Sequence, residues 1–328
     1  MTKNFDILLL IEKIFKNKWF RLISGLAILV FIFLYFKSVG GEFQQLVQIT
    51  SPIFFLYATP FLLIALITHA LAWRLIVNHF GTKLNVWDSI YIYYYSNLTR
   101  YIPGNYWHFI FKSTMGVNFG IDLKTGLKGT GIELILNVLV GFVFVVLGII
   151  FKFVKFEKEQ IVWLLLFLLV SLFALIIFFI ISQRSKNSEN THESGSDKRL
   201  KIKEEVSEIL TFSKREIVTV ILLFSSAWLA QGLTFYFVLS AWEVTSISYY
   251  AAIMFSYVAA WFMGFINPIA QNGLGVREAT SVVTLSNIFE VSTILGANLA
   301  MRVIGLLGEL FLLVVSWFIR SKSNKAMG

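Results

Sequence analysis

Cysteine is missing from this 328-residue chain altogether. That excludes disulfides, thiolate nucleophiles, cysteine-ligated zinc and cysteine-bound clusters. Histidine is almost as scarce, with four: His69, His79, His108 and His192. No HxxxH or HExxH pair can be written among them, so neither a metal site nor a cofactor is expected. Charge is thin as well. Asp, Glu, Lys and Arg make 14% of the residues, against about 25% in an ordinary soluble domain. Hydrophobic residues make 57%, and phenylalanine alone supplies 33. These proportions exclude a soluble globular enzyme, a disordered chain and a disulfide-stapled scaffold. What remains is an all-α polytopic membrane protein.

Enzyme signatures are missing too. There is no GxxxxGK[ST] for ATP-driven pumping, no GxSxG and no DxD. The segment 116–122, GVNFGID, lacks the strand–turn–helix context of a dinucleotide site. The formal net charge of +9 points to cytoplasmic loops facing anionic lipid rather than to nucleic acid.

A membrane-crossing helix needs about 20 mostly apolar residues. The basic stretch 1–21 precedes a first apolar run at 22–36. It is too long for a signal peptide, and the reading is an uncleaved helix with a cytoplasmic N-terminus. Further uncharged runs occupy 43–73, 134–151, 161–183 and 217–242, and a last apolar stretch at 293–319 carries Arg302 and Glu309. Between them, 184–215 holds eight basic and six acidic residues. It reads as a polar cytoplasmic loop dividing an N-terminal membrane half, 1–183, from a C-terminal half, 216–328.

Two segments interrupt the pattern. The first, 87–120, contains SNLTRYIPGNYWHFIFKSTMG, and the second, 265–290, contains NPIAQNGLGVREA. Pro103, Gly104, Pro268, Gly273 and Gly275 break helices or act as hinges there. Backbone groups freed in this way need protein or a wet cavity to satisfy them. Paired breaks in corresponding halves are the sequence mark of a transporter's binding site. The segments are therefore candidates for re-entrant hairpins, and six to eight transmembrane helices are expected. Seven full spans plus two re-entrant hairpins would put the C-terminus outside, against the basic residues at 320–325, so one broken segment is expected to cross completely.

Charges at membrane depth cost roughly 2.5–3.5 kcal/mol each and mark sites or pairs. Arg277 and Glu278 follow 33 uncharged residues. Adjacent helical residues do not face one another, so Arg277 must look to Glu309, to Glu133 or to an anionic ligand. Arg302 and Glu309 lie two turns apart on one helical face. They read either as part of a salt-bridge network with Glu278 or Glu133, or as a phosphate site with its counter-charges. Arg100, Asn105, Trp107, His108 and Lys112 form a second cluster, with Trp107 also readable as an interface anchor. His69, beside Trp73 and Arg74, reads as a membrane-edge group. After each break comes a helix with a polar stripe: Gly126, Thr130, Glu133, Asn137 and Gly141 in the first half, and Asn298, Arg302, Gly305 and Glu309 in the second.

RYIPGNYW at 100–107 and NGLGVREA at 272–279 together resemble the lysylphosphatidylglycerol synthase transmembrane-region, or flippase-like, family, over roughly residues 15–320. The family is similar to the flippase half of the multiple peptide resistance factor, which moves aminoacylated phosphatidylglycerol between leaflets. The sequence ends just after its last apolar stretch, without the aminoacyl-transferase domain. The resemblance therefore implies a stand-alone translocator of the bacterial cytoplasmic membrane rather than a synthase. Its partner would be an anionic phospholipid or a polyprenyl-phosphate-linked sugar. Arg100, Asn105, Trp107, His108, Lys112, Asn272, Arg277, Glu278 and Arg302 would bind the headgroup, with Glu133 and Glu309 as coupling or counter-charges. Two alternatives stand beside it: an assembly partner of envelope glycosyltransferases, docking through 184–215, and a membrane-embedded glycosyl- or aminoacyl-lipid transferase.

Overall fold

The computed structural model describes residues 49–101, 107–154, 212–266 and 271–326. The apolar runs at 22–36 and 161–183 and most of the 184–215 loop lie outside these residues, as do Pro103, Gly104, Asn105 and Pro268, and Trp107 is described as backbone only. By packing, the chain divides into two compact units, 1–26 with 158–218 and 27–157 with 219–328. The second unit holds both broken segments.

Eight α-helices and no strand occur among the described residues. They are α1 Ile53–His79, α2 Val86–Asn97, α3 Trp107–Val117, α4 Leu123–Ile150, α5 Lys214–Ser240, α6 Tyr250–Ile266, α7 Val276–Leu285 and α8 Val291–Ala326. One 3₁₀ turn, Leu98–Tyr101, follows α2, and another, Gln271–Gly273, precedes α7. Helices α1, α4, α5 and α8 have 27, 28, 27 and 36 residues. At 1.5 Å per residue they rise about 40 Å or more, beyond the ~30 Å of a bilayer's hydrocarbon core. Large apolar side chains stay exposed along them, including Leu56 and Ile64 on α1 and Phe311, Val314 and Phe318 on α8. Water would not support such surfaces, whereas lipid does.

Local chemistry sets the boundaries. Asn85 starts α2 by accepting the Asp88 amide at 2.8 Å, and Asp122 starts α4 by accepting that of Lys124 at 3.1 Å. Each carboxylate or amide oxygen satisfies a donor that the first turn leaves over. Gly120, at φ +77°, reverses the chain between α3 and α4, a left-handed conformation free of steric cost only for glycine.

Both broken segments are helical hairpins. Helix α2 packs on α3, and α6 packs on α7. Tyr91, near the start of α2, meets Phe119, just past α3, with ring centroids 6.1 Å apart. Tyr249, just before α6, meets Phe289, just past α7, at 6.4 Å. In each segment the second helix thus runs back along the first. Length explains the outcome: α2, α3 and α7 have 12, 11 and 10 residues, only about 15–18 Å each. Helix α6 is long and apolar enough to span, but 56% of its window is buried, against 22–39% for the other four candidate spans. Protein encloses it where lipid would otherwise be.

The hairpins enter from opposite ends of the unit. At one end, Thr50 and Ser51 donate their amides to the Ala241 carbonyl at 3.0 Å, and Trp242 covers Gly296 of α8. Ala58, Phe235, Ile253, Leu285, Phe289 and Ile294 form a core there, around the base of α6–α7. At the other end, Arg320 of α8 pairs with Asp88 of α2. A second core, with Trp73, Val77, Leu84, Ile90 and Ile121, surrounds the base of α2–α3. The two 3₁₀ turns at the hairpin tips touch between these cores.

Both predicted polar stripes face inward. Gly126, Thr130 and Glu133 of α4 are buried, as are Asn298 and Glu309 of α8. Gly141 lets Trp228 and Phe262 come so close that an added Cβ would lie 2.5 Å from the Phe262 ring.

Candidate functional site

Where the tips meet, a cavity of about 190 Å³ opens, and all eight helices contribute to its wall. That volume far exceeds the ~15 Å³ a single water needs. It accommodates a hydrated phosphate-sized group.

Charge organises the wall. Lys112 of α3 is the most deeply buried cation, its side chain 2% exposed, and it pairs with Glu133 of α4. Tyr93 donates to the other Glu133 oxygen at 2.6 Å, so both oxygens are engaged. The Lys112 ammonium also lies 4.2 Å from the Tyr93 ring centroid and 5.6 Å from that of Trp73, close enough for attraction to the ring faces. Arg100, on the first tip, pairs with Glu309 of α8 and donates from Nε to the Asn97 carbonyl at 3.0 Å.

Arg277 stands apart. It lines the cavity, makes no ion pair with a described residue, and its buried Nε has no hydrogen-bond partner. Neither Glu309 nor Glu133, the carboxylates first considered for it, pairs with it. Among the described residues, the cavity wall thus carries three cations, Arg100, Lys112 and Arg277, against two carboxylates, Glu133 and Glu309. One positive charge is left uncompensated. Nearby, His69 Nδ1, Asn137 Oδ1, Trp228 Nε1 and Glu309 Oε2 are buried without a protein partner. Such atoms cost about 1–3 kcal/mol each unless water or a polar ligand satisfies them.

Arg302 shapes the second tip from behind. Its Nε and Nη2 reach Glu278 Oε1 at 2.9 and 2.8 Å. Its two terminal nitrogens donate to the Asn272 and Gly273 carbonyls, each at 3.3 Å. Of the two accounts of Arg302, the geometry matches the salt-bridge network with Glu278. Neither residue is in the cavity wall, which Asn272 does join. The tip itself is wound left-handed, with φ +51° at Asn272, +68° at Gly273 and +78° at Gly275. Gly273 and Gly264 of α6 touch backbone to backbone: a Cβ on Gly273 would meet Gly264 Cα at 2.8 Å. Gly273→Ala should cost about 2 kcal/mol or more, from the left-handed backbone and the clash together. A thermal melting midpoint equal to wild type would refute that close approach.

His108 faces the cavity beside Phe109. His69 is corrected from a membrane-edge group to a buried cavity residue halfway along α1, its Nε2 3.3 Å from Gln231 Nε2. Tyr257 in turn donates to Gln231 Oε1 at 2.8 Å. Gln231, Trp228, Tyr93 and Tyr94 belong to the wall and were not singled out from sequence. The clue for the tyrosines was the run IYIYYY at 90–95, too rich in hydroxyls for a lipid-facing helix.

Comparison with curated proteins and with solved structures gives no match in either. The family model for the lysylphosphatidylglycerol synthase transmembrane region matches residues 21–312, a range that holds both hairpins and every residue of the cavity wall. This multi-pass membrane chain belongs to the lysylphosphatidylglycerol synthase transmembrane-region family.

Proposed function

We propose that this chain is a lipid translocator of the cytoplasmic membrane, holding an anionic headgroup in the cavity between the hairpin tips while the tails stay in lipid. The observation that carries the reading is Arg277, a cavity-facing guanidinium without a carboxylate partner among the described residues. The residue is half-buried with its Nε fully so; an uncompensated charge there is costly unless an anion joins it, and a phosphodiester is the lipid group of matching charge and hydrogen-bonding capacity.

The hairpins fit this role as re-entrant segments reaching the bilayer midplane from opposite leaflets, a design known in secondary transporters. If 22–36 and 161–183 also span, six crossings result and both termini lie on the cytoplasmic side, in accord with the basic flanks. Each leaflet then has a route to the same site. The expected test compares transbilayer movement of fluorescent phosphatidylglycerol in reconstituted vesicles. Wild type should exceed protein-free vesicles, and Arg277→Ala should lose at least tenfold of that excess, since a charge-assisted contact contributes about 1.5–3 kcal/mol. Equal rates for the two proteins would sink the site. No movement with wild type would favour the assembly-partner role.

A further inference from the structure

We infer that Glu309 is an internal counter-ion which a proton must neutralise before an anionic headgroup binds at Arg100, so that the cavity loads one proton with one anion. This inference rests on the translocator reading above.

The three carboxylates near the cavity are not equivalent. Glu133 has both oxygens engaged, by Lys112 and Tyr93, deep in the helix packing. Glu278 also has a buried oxygen, Oε2, without a partner, but it lies outside the wall, with its other oxygen gripped by two nitrogens of Arg302. Glu309 is in the wall, one oxygen on Arg100, with the Asn97 amide beside the carboxylate and Oε2 buried without a well-aligned hydrogen bond. Its partner Arg100 is the more open of the two, 26% exposed on the first tip. A proton arriving through the cavity and a ligand arriving at the tip thus act on the same ion pair.

The electrostatics dictate the order. With Glu309 ionised, a phosphodiester at Arg100 would set two negative charges on one guanidinium in a low-dielectric site. A proton moving from cavity water to Oε2 leaves a neutral carboxylic acid, and the phosphodiester takes over the guanidinium. When the anion leaves, the proton leaves Oε2 for water. The loaded and empty sites carry the same net charge, so the crossing is electroneutral.

Other groups share this environment. Helices α1, α2 and α7 pack against α8 and present His69, Tyr94 and Arg277 to the cavity. Across it stand His108 and Lys112 of α3, with Glu133 of α4. The histidines are the rival titrating groups, and the test must separate them from Glu309.

The experiment titrates the purified full chain in non-ionic detergent with dihexanoylphosphatidylglycerol, a diester that stays singly charged. Tryptophan fluorescence reports binding, since Trp228 and Trp261 line the cavity. Wild-type affinity should fall by up to about tenfold for each pH unit raised from about 6 to about 8, the slope of one linked proton. Glu309→Gln should abolish the slope and bind at the acid-limit affinity of wild type at every pH. His69→Gln and His108→Gln should keep the slope. A slope surviving in Glu309→Gln, or lost in a histidine variant, overturns the inference while leaving the translocator reading intact. No binding by wild type at any pH overturns both.

Discussion

Replacing Glu133 by alanine should lower the stability of the protein by about 3–5 kcal/mol, the cost of leaving one member of a buried ion pair unpaired. Lys112 is 1% exposed and has no water to retreat to. Tyr93 would lose its acceptor at the same time. In detergent the melting midpoint should drop by roughly 10 °C, at about 2–4 °C per kcal/mol for a chain of this size. Adding Lys112→Met should restore part of the loss, because it removes the unpaired buried ammonium, while the cavity at position 133 and the lost Tyr93 acceptor remain. A single variant that melts with wild type would show that the pair is not structural. If the double variant still moves lipid at the wild-type rate, Lys112 serves as scaffold and does not hold the headgroup.

Arg302→Ala should reduce lipid movement to the level of protein-free vesicles, although Arg302 is not in the cavity wall. Its fork ties Glu278 and the carbonyls of Asn272 and Gly273 into one tip. Without it, the left-handed turn that brings Arg277 to the cavity has no brace. Arg302→Lys should recover only part of the activity, since an ammonium is a point donor that cannot reproduce the planar fork. Arg302→Ala combined with Glu278→Gln should regain thermal stability, because no buried carboxylate is left unpaired, yet stay inactive because the carbonyls remain untethered. Full activity in Arg302→Lys would mean that charge alone, without geometry, sets the tip.

How much of this could be read from the residues alone varies along the chain. The two hairpins were legible because proline, glycine and charge interrupt otherwise continuous apolar runs at 87–120 and 265–290. The inward faces of α4 and α8 were legible from helical spacing, as Glu133 and Glu309 confirm by their burial. Pairing was not. Arg100 with Glu309 and Lys112 with Glu133 join residues whose proximity depends on how helices cross, and lipid-facing helices have little amphipathic signal to fix that. His69 was misplaced because Trp73 and Arg74 beside it resemble an interfacial belt. In fact Trp73 is fully buried, and Arg74 donates to the Leu84 carbonyl at 2.7 Å.

The partnership of Arg100 and Glu309 also bears on biosynthesis. The two lie 209 residues apart, and Glu309 sits in α8, made long after the first hairpin. Lys112 meets its carboxylate only 21 residues later, almost as soon as α4 is made. The first hairpin therefore matures in two stages: its inner cation is neutralised at once, and the cation at its tip waits for α8. Until α8 is inserted, Arg100 lacks the Glu309 carboxylate. Insertion of α8 is thus the step that gives the first tip its carboxylate.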